Sequence, residues 1–215
     1  AHYNAFTSEE NTVYYSAVLH ECQEQCLDIL ADIMRPSLRD EDFEMEKKVI
    51  LEEIQMYADQ PPFGRDDKSK ERHYGRHPLS RSVVWTVDTV GELTVEQMRG
   101  YFEARYSPGN VLLAAAGKVD FDALVEQVSS RCGQWKPQQT TRDIPGPNSK
   151  SSFHAIVREA STQQYVLQLA DAPSSEDDDR YAAKLLATMF GDDSGSRLYW
   201  ELVDPGLVES ASLGH

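Results

Sequence analysis

Positive charge is scarce in these 215 residues, where 21 Lys+Arg stand against 36 Asp+Glu for a formal net charge of −15. With no basic run anywhere, the chain has nothing to neutralise a phosphate backbone or an anionic lipid surface, so nucleic acid and membrane are not expected as partners. Long apolar stretches are missing too. The longest, Val111 to Ala116, is strand-sized and far short of the roughly 18 residues that a membrane span needs. No charged start followed by an apolar segment opens the chain at Ala1, and no export signal is expected within it. Cysteine is sparse: Cys22, Cys26 and Cys132 are odd in number and lack metal-like spacing. They read as reduced core residues, with Cys22 and Cys26 on one helix face, and they point to a reducing compartment such as the cytoplasm.

What the chain does have is 40% hydrophobic residues, enough to bury a core in one large domain or two smaller ones. A disordered tail is thereby excluded. Asn11 to Val18 is β-branched and aromatic and predicts a strand, after which Leu19, Cys22, Cys26, Leu30, Ile33 and Met34 recur at helical spacing as far as Pro36. A second helix is expected from Arg39 to Gln60, opened by acids that suit the positive end of its dipole and closed by Pro61-Pro62. Phe63 to Ser82 reads as polar loop broken by a short helix. Thr94 with Gln97 is a capping box for a helix to Tyr106, Asn110 to Ala116 reads as a strand covered on both faces, and Asp120 caps a helix through Arg131.

Lys136 to Ser152, rich in proline and nearly without apolar side chains, reads as a linker. Beyond it, Phe153 to Val157 and Gln164 to Ala170 read as strands and Asp178 to Phe190 as a helix. Tyr15, Leu30-Ala31 and Met34 are echoed by Tyr165, Leu186-Ala187 and Met189, which suggests two related α/β units.

The second helix carries acids in an unusual place. At about 100° per residue with Glu53 at zero, Val49 falls near −40°, Met56 near −60°, Tyr57 near +40° and Ile50 near +60°. Glu53 is therefore expected mid-stripe on a buried face, with Glu46 near +20° beside it, while Glu41, Glu44 and Glu52 point elsewhere. A carboxylate removed from water needs a partner. A metal, a basic side chain from another element, or a face that is only half buried would each meet that need.

Several segments, in order, resemble one family. Asn4-Ala5-Phe6-Thr7-Ser8 with Thr12-Val13-Tyr14-Tyr15 is similar to an Asn-Ala-x-Thr strand, and Glu44 to Glu53 to a glutamate-rich helix. His77-Pro78-Leu79, Tyr106-Ser107-Pro108-Gly109-Asn110 and Ser196-Arg197-Leu198-Tyr199 are similar to later landmarks. Together they resemble the pitrilysin/insulinase zinc metallopeptidases, the inverzincins, including mitochondrial processing peptidase and its bacterial relatives. In that family two histidines of H-x-x-E-H and a distal glutamate hold zinc, and the glutamate within the motif activates water. The resemblance implies that Glu53 is the metal ligand and Glu46 a supporting catalytic acid. It also implies that Asn4, Ala5 and Phe6 lie in a strand that binds peptide substrate.

The departures are as informative. No H-x-x-E-H occurs in the chain, and His20-Glu21-Cys22-Gln23-Glu24 lacks its second histidine. His73 and His77 are separated by Gly75 and followed by Pro78, which suits a turn better than a metal-binding helix. His2, His20 and His154 read as ordinary polar residues, and Gly191 to Gly195 as a loop with a helix cap. Aligning Gly206-Leu207 puts Leu202 and Glu209 where many relatives carry a substrate-contacting Arg and Tyr.

The resemblance implies an α+β fold of two related units, mixed or antiparallel sheet covered by helices, both incomplete in this chain. The expected units are 1–135 and 153–215, joined by the linker 136–152. The catalytic motif is expected before Ala1, so that zinc belongs to the intact protein and is not held by this chain alone. The expected function is part of a zinc-dependent metalloendopeptidase acting on a peptide or small protein substrate. The alternative is a catalytically silent subunit or peptide-binding partner of a two-chain peptidase of the same family; on either reading a homo- or heterodimer with a related chain is an expected partnership.

Overall fold

The computed structural model describes residues 1–59, 65–83, 86–141, 146–157 and 162–215. The Pro61-Pro62 stop and residues 142–145 of the expected linker lie outside them. The chain is α+β and divides into two units, Ala1–Leu167 and Gln168–His215.

The first unit opens with a hairpin of β1 (His2–Thr7) and β2 (Thr12–Ala17), paired antiparallel with Asn4 opposite Tyr15 and Thr7 opposite Thr12. Its loop is closed by Ser8 N–H donating to Asn11 O at 2.8 Å, with Ser8 Oγ donating to Asn11 Oδ1 at 3.1 Å. Aromatic rings cross the strands on one face, His2 at 5.9 Å and Phe6 at 6.4 Å from Tyr15. β2 is half-buried along its middle while β1 is exposed throughout, and among the described residues the sheet has these two strands, so the outer edge of β1 is unpaired there.

Helix α1 (Gln23–Ile33) buries Leu27, with Cys26, Leu30 and Ala31 half-buried on the same stripe. It packs on α6 (Phe121–Cys132), where the Arg131 guanidinium bonds Asp28 and lies 3.2 Å from Glu24. The three cysteines are free, but the core role expected for them does not hold. Cys22 is exposed in a short turn ahead of α1 and off its phase, and Cys26 and Cys132 are half-buried. Burial pushes the Cys132 thiol up from its ordinary pKa.

Helix α2 (Asp40–Asp59) packs on α4 (Val87–Glu92), and α3 (Arg65–Tyr74) follows α2. The core here is Phe43 and Val90, both buried. Lys47 lays its stem across this contact and donates from Nζ to Leu93 O at 2.9 Å. Helix α5 (Val95–Arg105) starts at the expected capping box, Thr94 accepting from Gln97 N–H and Gln97 accepting from Thr94 N–H. Asp120 caps α6 by accepting from Ala123 N–H at 3.0 Å. Ser107, almost wholly buried, exchanges hydrogen bonds with the backbone N–H and carbonyl of Gln138 and so fixes the chain beyond α6.

The stretches Asn110–Ala116, Phe153–Val157 and Gln164–Ala170 differ from expectation. They form no strand ladder among the described residues, and Leu112, at 91% exposed, has neither face covered. An apolar run signals burial between layers, but the ladder and facing layer must come from other strands, and the described residues supply none. The second unit is led by α7 (Arg180–Gly191), with Ala187 and Gly191 buried and a π-helical turn at Tyr199–Val203.

Candidate functional site

The acidic start of α2 is fixed by Arg99, whose guanidinium bonds Asp40 and donates to Leu38 O at 2.8 Å. From there the packed face runs through Phe43, Lys47, Ile50 and Ile54, the spacing of one helical stripe. With Phe43 at zero, Glu46 falls near −60° and Glu53 near −80°, so the two acids share a face about 20° apart. That part of the expectation holds. Their burial does not, because both are exposed. The expected phase placed Val49 and Met56 inside, yet they are 51% and 48% exposed, because α4 takes up the neighbouring stripe. Glu46 stands at the rim of a recess of about 180 Å³ lined by Phe43, Ile50, Val90 and Met98, while Glu53 lies beyond it. An exposed carboxylate has no energetic need of a cation, so burial gives no argument for a metal here.

Zinc fits this donor set only in part. Glu53 offers one carboxylate of a kind zinc accepts, but among the described residues no group of three or more His, Cys, Asp or Glu could hold a metal ion. His73 and His77 are not on one helical turn. His73 lies in the last turn of α3 with its ring edge-on to Tyr74 at 4.8 Å, Gly75 turns the chain at φ +60°, and His77 Nδ1 accepts from Leu79 N–H. His20 pairs with Glu21 at 2.8 Å.

The hairpin offers a second chemical feature, the outer edge of β1. Antiparallel ladders alternate, and counting back from the Ser8 N–H bond to Asn11 turns the N–H groups of Phe6, Asn4 and His2 toward β2. Those of Tyr3, Ala5 and Thr7 face outward. The Ala5 N–H is held by Asn4's own Oδ1 at 2.9 Å, so the side-chain amide of Asn4 covers one donor of the edge. Asn4, Ala5 and Phe6 thus sit together on β1 but not equivalently: Ala5 presents main chain outward, and Phe6 presents it to the partner strand.

Two ties to the hairpin were invisible in the sequence. Tyr14 and Tyr106 hydroxyls meet at 3.0 Å, and burial, aided by that bond, pushes the Tyr106 phenol above its ordinary range. Glu9, in the hairpin loop, bonds the Lys70 ammonium of α3, which holds its carboxyl below the usual value. No local pattern announces a contact across 61 residues. At the other end of the chain, Leu202 lies in the π-helical turn, where its carbonyl accepts from Leu207 and Val208 N–H, and Glu209 is exposed.

Comparison with known proteins decides what this arrangement belongs to. Residues 1–87 match the family model described as Insulinase (Peptidase family M16), and residues 92–215 that described as Peptidase M16 inactive domain. The chain belongs to peptidase family M16. An uncharacterized zinc protease of Mycobacterium leprae is 31% identical over 204 residues, which cover 93% of this chain and 46% of that protein. The uncharacterized zinc protease YmxG of Bacillus subtilis is 31% identical over 217 residues, covering 99% of this chain and 52% of that protein. A probable mitochondrial-processing peptidase subunit beta of Arabidopsis thaliana is 31% identical over 195 residues, covering 88% and 37%. Among solved structures, a protease from Helicobacter pylori superposes with a TM-score of 0.75 at 21% identity, covering 95% of this chain and 51% of its own. That likeness bears on the M16 fold alone. The chain spans about half the length of the curated M16 relatives it matches.

Proposed function

We propose that this chain forms part of a zinc-dependent metalloendopeptidase in which Glu53 is one zinc ligand, Glu46 its supporting acid, and the outer edge of β1 the seat of an extended peptide. The observation that carries the reading is the uncovered face of α2. Glu46 and Glu53 stand two turns apart on it beside half-exposed Val49 and Met56, and no described element covers them. An acid pair set in apolar surface suits a face that meets the remaining ligands from residues outside these 215, in an H-x-x-E-H helix. Bound zinc would supply Lewis acidity and a water that is nucleophilic at neutral pH. The chain's own share is to present the Glu53 carboxylate and to offer outward N–H and C=O groups of β1 to a peptide backbone. Such binding is broad in sequence preference.

A second reading, a catalytically silent partner in a homo- or heterodimer with a related chain, is favoured by one finding. The two acids are exposed, so they cost a silent subunit nothing to keep. The test is chelator-sensitive cleavage of a quenched fluorogenic peptide by the full-length protein, restored by added zinc. Full-length protein that lacks both H-x-x-E-H and this activity would select the silent partner instead.

A further inference from the structure

We propose that Lys70 of α3 is a positioning residue for peptide binding at β1, acting through Glu9 in the loop of the hairpin. The inference rests on the reading of β1 as the peptide-binding edge. A two-stranded hairpin is marginal on its own, and β1, exposed along its whole length, does not have its place set by burial of its own side chains. Its position therefore comes from what holds β2 and the loop. β2 is held along its middle, where Val13 to Ser16 are half-buried and the Tyr14 and Tyr106 hydroxyls meet at 3.0 Å, which leaves the loop end of the ribbon to be fixed separately. The Glu9–Lys70 pair supplies a second point at the far end.

Three features suit that pair to the task. Its side chains are only 28% and 29% exposed, against 72% and 51% for Arg39–Asp42, so it is shielded better than an ordinary surface pair. The loop around Glu9 is stiffened by Ser8, whose N–H and Oγ both bond Asn11 and whose Oγ accepts from Glu10 N–H. The helix that carries Lys70 is itself tied further on, His73 O accepting from Lys150 N–H at 3.1 Å. A restraint applied at Lys70 thus reaches β1 through a short, stiff loop, and the angle at which β1 offers its outer N–H groups follows from it.

The test uses the full-length protein, with KM and kcat on a quenched fluorogenic casein peptide and, after zinc removal, the Kd of the same peptide labelled with fluorescein. Lys70→Met and Glu9→Gln are each expected to raise KM and Kd by roughly two- to fivefold, the range of a partly shielded ion pair, with kcat and zinc content unchanged. The charge-reversed double variant Glu9→Lys/Lys70→Glu is expected to recover most of the loss that Lys70→Glu alone produces. Parent-like KM and Kd in both single variants would overturn the proposal. So would a joint change in kcat and KM, with lowered Tm, that the double variant fails to rescue. A parent protein that neither binds nor cleaves the peptide would overturn the peptidase reading itself, and the two failures are separated by that control.

Discussion

Glu9 gives the clearest acid-base consequence in the molecule. The hydrogen bond from Lys70 holds its carboxyl below the ordinary value of 4.5, so the folded state favours the ionised form more than the unfolded chain does. The stability this contributes is fully present above the ordinary value and is lost as the pH falls through the lowered folded one. Glu9→Gln is expected to lower unfolding free energy by about 0.5 kcal/mol at neutral pH and by nothing in acid below the folded value, read from urea unfolding across that range. A deficit that persists unchanged in acid would mean the pair is not ionic. Residues such as Glu9 and Lys70 are illegible in a sequence because their meeting depends on a fold that local pattern does not encode. Glu46 and Glu53 were half legible. Helical spacing puts them on one face whatever surrounds them, but Phe43, Ile50 and Ile54 satisfy that spacing as well as Val49 and Met56 do. Only the position of α4 decides which stripe is buried.

Elements were readable where their signals are local. The caps at Thr94 and Asp120 join a side chain to a backbone N–H within three residues, so α5 and α6 begin where the sequence says. The short helix α4 was missed because its box is built from two threonines, Thr86 and Thr89, without the usual acid or amide. Strands failed where the described residues supply no partner, as at Asn110–Ala116. The hairpin yields a prediction that separates its two edges. Proline at Tyr3 removes an outward N–H that, unlike that of Ala5, is not held by Asn4, and it spares the β1–β2 ladder, so Tyr3→Pro in the full-length protein is expected to weaken peptide binding by about 1 kcal/mol with Tm near the parent's. Phe6→Pro breaks a bond to β2 instead and is expected to lower Tm first. Fluorescence anisotropy with a labelled peptide, alongside thermal unfolding, distinguishes them; the reverse pattern would mean that the ladder parity is inverted.

At the scale of the molecule, family membership was legible because short landmarks recur in order along nearly the whole chain, and family models cover 1–87 and 92–215. The proposed metal centre is not legible in this way, since a zinc site joins residues distant in sequence and this chain spans about half of its curated relatives. The central claim is that the uncovered face of α2 completes a zinc site in the whole protein, and zinc content tests it most directly. Full-length parent, Glu53→Gln and Glu52→Gln proteins, purified in parallel, would be measured by plasma mass spectrometry. The parent is expected to carry about one zinc per chain, Glu53→Gln to lose most of it, and Glu52→Gln, about 100° away around the helix, to retain it. Zinc held equally by all three proteins, or by none, would contradict the account.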